Sequence, residues 1–451
     1  MKDVALRQDA VPEEHEKLSS GARKAIFAAT LGTLIEWYDY ALYGVAAGLV
    51  ISPLFFPGAV GDTAALVAFA TFAVGFLIRP IGGLAIAHLG DTIGRKPALI
   101  LTIVLMGIAT TGIGLLPTAA QIGIWAPILL VFLRALQGFG AGAELAGALT
   151  VAAEYTPASR RGFFTGLING VGAAGSAVAM LAFILVSNVT DDAFLEWGWR
   201  IPFLFSAVLF ILALYIRRTL DESPEYLAAK AKSEKDSSAN KVPLAKLFKA
   251  SPKRMILGIL LWTGHNANIY IVLTFALGYL INKVGFARTD ALTITLTATM
   301  IGCVASPWWG AVADRYGAKQ VYAGVMIFCG LFSLPLFYLM GTGNFWLAML
   351  GLSLASAITL GGTSGSAGAV TTNLFPTEYR YSGVAVSKEI SAAAIAGPTP
   401  FIATALVAVA GGEPWLAALY ISLCCVVTLF ALYAMGKNVG NYDIESLTTR
   451  S

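Results

Sequence analysis

The chain alternates long apolar stretches with short polar ones. A membrane-spanning helix needs about 20 mainly apolar residues. Twelve stretches meet that length: 24–51, 63–87, 97–116, 123–153, 162–187, 199–217, 254–282, 290–313, 320–340, 345–373, 383–410 and 414–436. Their apolar residues run continuously, whereas barrel strands alternate in ten-residue segments, so they read as helices. One long polar interruption, 218–253, is rich in Lys, Glu and Ser and divides the twelve into six and six. The pattern predicts an all-α membrane protein of twelve transmembrane helices, built as two pseudo-symmetric six-helix bundles. Its parts are an N-terminal tail (1–23), a first bundle (24–217), a central loop (218–253), a second bundle (254–436) and a C-terminal tail (437–451).

Composition agrees. Of 451 residues, 57% are hydrophobic and 12% charged. A soluble protein carries about 25% charged residues. A water-facing surface of this size could not be covered, which excludes soluble and disordered classes alike. The net charge of +4 does not call for a nucleic acid, because position explains it. With the N-terminus in the cytoplasm, 24 of the 30 Lys and Arg fall in cytoplasmic segments. Arg200, Lys283 and Arg288 fall on the opposite side, and Arg79, Arg134 and Lys388 within spans. The positive-inside rule then places both termini in the cytoplasm of an inner or plasma membrane. The first 20 residues are polar, so no cleavable signal peptide is expected. Cys303, Cys329, Cys424 and Cys425 have neither zinc-ligand nor disulfide-framework spacing. No metal cluster and no phosphate-binding loop occurs, so neither a cofactor nor ATP hydrolysis is expected and the chain does not read as an enzyme.

The halves repeat. Asp91-Thr-Ile-Gly94-Arg95-Lys96 follows the second span, and Asp314-Arg315-Tyr-Gly317-Ala318-Lys319 follows the eighth, 223 residues on. Pro157-Ala-Ser-Arg160-Arg161 follows the fourth span, and Pro376-Thr-Glu-Tyr-Arg380 the tenth, at an offset of 219. A duplicated six-helix unit suits a transporter, with its substrate site between the repeats near the midplane.

These loop motifs resemble the signature of the major facilitator superfamily, as does Arg134-Ala-Leu-Gln137-Gly138-Phe-Gly140 in the fourth span. Gly32-Thr-Leu-Ile-Glu36-Trp37-Tyr38-Asp39-Tyr40, Arg79-Pro80-Ile-Gly82-Gly83, Trp197-Gly-Trp-Arg200-Ile-Pro-Phe203 and Glu378-Tyr-Arg380-Tyr-Ser-Gly383 are similar to the metabolite:H⁺ symporters. Those include carriers of proline/betaine, shikimate, citrate and 2-oxoglutarate. The resemblance implies alternating access driven by protons. The loop motif departs from the family at Ala87, Thr92 and Ala318, which thins its charge network.

Ionisable groups inside a span are costly and mark functional sites. Glu36, Asp39, Tyr40 and Tyr43 share one helical face at i, i+3, i+4 and i+7. Arg134, Gln137 and Glu144 share another. Helix rise puts Asp39, Arg134 and Gln137 at one height, about 22–28 Å from the cytoplasmic end of their spans. Glu36 lies a turn lower. An Asp39–Arg134 pair is expected, with Glu36, to couple protons: a carboxylate beside arginine stays ionised until an anionic substrate claims the arginine, and then takes a proton. The competing reading is a static pair that fixes helix packing.

Arg79, Glu144, Lys388 and Glu389 form a lower layer about 8–14 Å from the cytoplasmic end. Arg79, Glu144 and Lys388 read as a gate between the halves, against simple snorkelling at the cytoplasmic end, which suits Lys388 well. Glu389, 100° round the helix from Lys388, is expected to face elsewhere. Lys388 aligns with Asn169 through the 219 offset, so both are candidates for substrate contact. His265 and Asn266, near the midplane of the seventh span, are candidates beside them, against a satisfied core histidine. The expected substrate set is Arg134, Gln137, Tyr40, Tyr43, Asn169, His265, Asn266 and Lys388. Trp308-Trp309 read more readily as packing than as a ring-stacking surface. In the loops, Gly90 and Gly94 allow a tight turn, Asp91 faces a helix N-terminus and Arg95 meets Glu154. Arg161, Asp314, Arg315 and Arg380 complete that latch.

The function expected is import of a small polar metabolite with protons, an organic acid being favoured by Arg134 and Lys388. A zwitterion such as proline or betaine is the near alternative. A proton-driven exporter is a further one, disfavoured by the missing proline of Gly166-x-x-x-Gly170-Val171, and a non-transporting receptor another. The partners expected are the substrate, protons and the lipid bilayer, with the chain acting as a monomer.

Overall fold

The structure, a computed structural model, describes residues 20–93, 95–142, 161–219, 252–375 and 380–436. Twelve long helical segments run through them. In the first half they are α1 (Ser20–Ala46, continued through a π-turn at Ala47–Ile51 to Ser52–Phe55), α2 (Asp62–Ile93), α3 (Arg95–Leu115), α4 (Trp125–Ala141), α5 (Arg161–Thr190) and α6 (Arg200–Thr219). In the second they are α7 (Pro252–Tyr270, continued through π-turns to Val284), α8 (Arg288–Tyr316), α9 (Ala318–Gly341), α10 (Phe345–Leu374), α11 (Arg380–Ser391, a π-turn at Ala392–Ala396, then Thr399–Val409) and α12 (Trp415–Ala434). Nine are long and apolar enough to cross a membrane, and the shorter apolar helices in α3, α4 and α6 make up the twelve. Leu77, Phe132, Ile211, Val304, Leu331 and Phe430 are exposed and apolar on helices of both halves, as a lipid-facing belt requires.

Pairing repeats from half to half. α1 packs on α5, α2 on α4 and α3 on α6; α7 on α11, α8 on α10 and α9 on α12 follow the same scheme. The π-turns share it, since Ala47–Ile51 and Ile271–Phe275 occupy equivalent places in α1 and α7. Small residues permit the close approaches. A Cβ on Gly138 of α4 would strike the Gly75 carbonyl of α2, and one on Gly365 of α10 would lie 2.6 Å from Gly310 of α8. Between the halves α5 meets α8, α11 meets α2, and α1 meets α7.

The loop turn differs from expectation. α2 stays helical through Gly90 and Asp91 to Ile93, because a glycine inside a hydrogen-bonded helix need not break it. The next helix begins at Arg95, and position 94 lies outside the described residues. Its copy 223 residues on is Gly317, whose φ of 92° turns the chain between α8 and α9.

Candidate functional site

A cavity lies between the halves, walled by α1, α2, α5, α7, α10 and α11. The lower charged layer forms part of that wall. Arg79 of α2 donates from Nε to Glu389 Oε2 of α11 at 2.8 Å and from Nη2 to Oε1 at 3.2 Å. Glu36 Oε1 of α1 stands 3.7 Å from the same guanidinium. The guanidinium also lies over the Tyr40 ring at 4.9 Å. One arginine thus serves two carboxylates, one from each half.

Glu389 is therefore the partner from α11, and it faces a different neighbour from Lys388, as the 100° between them requires. A turn of 100° keeps two side chains off one neighbour, and α11 lies between two. Lys388 points to α7, with Nζ 5.1 Å from the centre of the Trp262 ring. Glu389 points to α2, and both border the cavity. Among the described residues the Lys388 ammonium makes no hydrogen bond and no close ion pair; it lies against the Trp262 face, with the Glu389 and Glu36 carboxylates among its charged neighbours.

The upper layer is sealed. Asp39, Arg134 and Gln137 are fully buried and none borders the cavity. Gln137 links the two charges: its Nε2 donates to Asp39 Oδ2 at 2.6 Å and to Thr110 Oγ1 at 2.9 Å, while its Oε1 accepts from Arg134 Nη1. Arg134 Nη2 donates to the Phe72 carbonyl at 3.0 Å. The guanidinium lies 4.0 Å from the centre of the Tyr43 ring, and Tyr43 donates to Thr71 at 2.7 Å. Phe72, Phe76 and Tyr270 pack ring to ring over this cluster, and Tyr40 packs on Phe76. Tyr43, Arg134 and Gln137, expected against substrate, thus lie behind an aromatic wall. Helical faces showed that they point inward but not that phenyl rings close over them.

The remaining candidates do meet at the cavity. Asn169 of α5 donates to the Ser364 carbonyl of α10 at 2.9 Å. Asn266 donates to Ser391 Oγ at 3.1 Å. His265 Nδ1 lies 2.6 Å from Thr363 Oγ1, and the imidazole stands edge-on to Trp262 at 4.8 Å. Tyr40 Oη and Trp262 Nε1 are buried without a hydrogen-bond partner among the described residues. Trp262 and Phe76 escaped the sequence reading. Trp262 stands at i−3 from His265 on the same face of α7, and that spacing was the available signal. Trp308 is exposed and edge-on to Trp309, and neither borders the cavity.

Further contacts join the halves at the ends. Asp314 Oδ2, in the last turn of α8, accepts from the Phe163 N–H in the first turn of α5 at 3.1 Å. That is a carboxylate at a helix N-terminus. Arg315 lies over the Tyr316 ring at 5.3 Å. At the other end Lys283 pairs with Asp62 at 2.9 Å, and Arg288 donates to Ser187 at 3.3 Å. The side chains of Asp91, Arg95, Arg161 and Arg380, and Glu144 and Glu154 entirely, lie outside the described residues.

Two pseudo-symmetric six-helix halves around a central charged cavity match a known pattern. The Major Facilitator Superfamily pattern covers residues 26–387. The chain belongs to that superfamily. It is 36% identical over 426 residues to the shikimate transporter of Escherichia coli K12, covering 94% of this chain and 97% of that protein. It is 35% identical over 433 residues to the proline/betaine transporter of Salmonella typhimurium, covering 94% and 85%. In fold it is similar to the xylose transporter XylE of E. coli in a partially occluded inward open conformation, with a TM-score of 0.73 and 17% identity over 93% of this chain and 100% of that one. The protein is a multi-pass membrane transporter, not an enzyme.

Proposed function

We propose that the protein imports a small organic acid together with protons, by alternating access of its two halves around the central cavity. The observation that carries the acid is Lys388. Its half-buried ammonium borders the cavity with no hydrogen bond and no carboxylate in ion-pair contact, and a substrate carboxylate supplies that contact. Arg79 is less available, since Glu389 and Glu36 already offset its charge. The shikimate transporter among its relatives supports an acid as cargo.

Arg79–Glu389 serves as the gate on the cytoplasmic side, made when that side is shut. Asp39, with Arg134 and Gln137 behind the aromatic wall and Glu36 at its edge, takes the proton. The halves 24–217 and 254–436 rock as bodies in a bacterial inner membrane, with both termini in the cytoplasm and one chain sufficient.

A zwitterion is the second reading. Aromatic faces of Trp37, Tyr40 and Trp262 beside Glu36 and Glu389 suit a quaternary ammonium, and the proline/betaine relatives support it. Purified protein in proteoliposomes with an imposed pH gradient decides. Labelled shikimate, 2-oxoglutarate, citrate, proline and glycine betaine are offered in turn. Gradient-driven accumulation of an acid is expected. Accumulation of glycine betaine alone overturns the acid reading, and gradient-driven efflux overturns import.

A further inference from the structure

The hydrogen bonds around His265 fix which ring nitrogen carries the proton. Thr363 Oγ1 lies 2.6 Å from the Thr359 carbonyl and 2.6 Å from His265 Nδ1. A hydroxyl has one proton to give. The carbonyl can only accept, so a hydroxyl that gave its proton to His265 would set two bare oxygens against each other at 2.6 Å. Thr363 therefore donates back to Thr359, as buried helical threonines do, and His265 Nδ1–H donates to Thr363. In the neutral ring this assignment leaves the lone pair on Nε2. Among the described residues Nε2 has no hydrogen-bond partner, and His265 borders the cavity.

The same wall carries the Lys388 ammonium, and the Trp262 ring contacts both. From these positions we infer that the cavity has a second subsite, for a hydrogen-bond donor: His265 Nε2 accepts from a hydroxyl on the cargo while Lys388 holds the carboxylate. The cargo is then a hydroxylated carboxylic acid. This rests on the acid reading above and narrows it. A fully methylated ammonium has no proton to offer Nε2, and a deoxy acid has none at that place.

The test is equilibrium binding to the purified full-length protein. The probes are shikimate, its singly deoxygenated analogues, its singly fluorinated deoxy analogues, and glycine betaine. Fluorine keeps the size of a hydroxyl but cannot donate. One ring position should matter, with both the deoxy and the fluoro analogue there binding about tenfold more weakly than shikimate, the worth of one net hydrogen bond. His265→Asn keeps a donor toward Thr363 and removes the acceptor. It should weaken shikimate about tenfold and leave that deoxy analogue within about twofold. His265→Gln, which returns an acceptor at the outer position, should recover most of the difference.

Equal affinity for shikimate and all its deoxy analogues overturns the subsite, as does a fluoro analogue that binds like its parent. So does a His265→Asn variant that weakens every acid alike, the mark of a structural histidine. In each of those cases acids still bind, and the acid reading survives. Binding of glycine betaine with no acid bound removes the acid reading and the subsite together. The wild-type panel needs no variant to fold.

Discussion

Replacing Glu389 with Gln tests the contact that joins α2 to α11. The Arg79 and Glu389 side chains are 6% and 12% exposed, so the pair is largely out of water. Removing one member of a buried pair costs about 3–5 kcal/mol. Here Glu36, at 3.7 Å, still faces the guanidinium, and the amide oxygen of Gln still accepts one bond. The expected loss is therefore lower, about 2 kcal/mol. Because the partners come from different halves, that energy belongs to the state in which the halves meet there. Its loss shifts the equilibrium toward the open state about 30-fold. Accessibility reads this directly. Ser364 borders the cavity, and Ser364→Cys, in a background lacking the four native cysteines, reports alkylation by an impermeant maleimide from each side of the membrane. Glu389→Gln should raise the rate from the cytoplasmic side at least tenfold. Arg79→Gln should do the same, and the double variant should add little to either. Unchanged labelling in both single variants would refute the gate, and additive effects would show that the two residues act separately.

Asp39→Asn should abolish accumulation against a gradient while leaving downhill exchange, since the amide keeps the shape but carries no proton; undiminished uphill uptake in proteoliposomes would remove Asp39 from coupling. Arg134→Lys should impair uptake nearly as much as Arg134→Ala, because one ammonium cannot bond Gln137 and Phe72 while lying over Tyr43; near-normal transport by the lysine variant would reduce Arg134 to a point charge. Gly75→Ala should mimic loss of Arg134, since its Cβ would fall 2.6 Å from Nη2, and wild-type uptake at normal expression would show that the guanidinium has room to move. Asp314→Ala should change maximal rate with affinity within about twofold, because it acts at the end of α5 and away from the cavity; a pure loss of affinity would contradict that.

The helices and their repeat were legible because the bilayer imposes long apolar runs and leaves little else for the backbone to do. Pseudo-symmetry was legible from two offsets alone, and the same spacing locates the π-turns of α1 and α7, which no residue pattern announced. Candidate charges were legible because an ionisable group in hydrocarbon is rare. Their partners were not. Helical periodicity gives a direction from one axis, whereas a contact depends on where two axes pass. Glu389 shows the difference: its angle from Lys388 was read correctly, but α2 on one side of α11 and α7 on the other give each residue its own neighbour. Arg134 shows it again. Its face was right and its height agreed with Asp39, yet Gln137 is the group that links them, and Phe72, Phe76 and Tyr270 close the way to the cavity. Gly75 had to be small for that guanidinium to fit. The His265 tautomer lay further still from the sequence, since it follows from a threonine 98 residues away and from the carbonyl one turn before it.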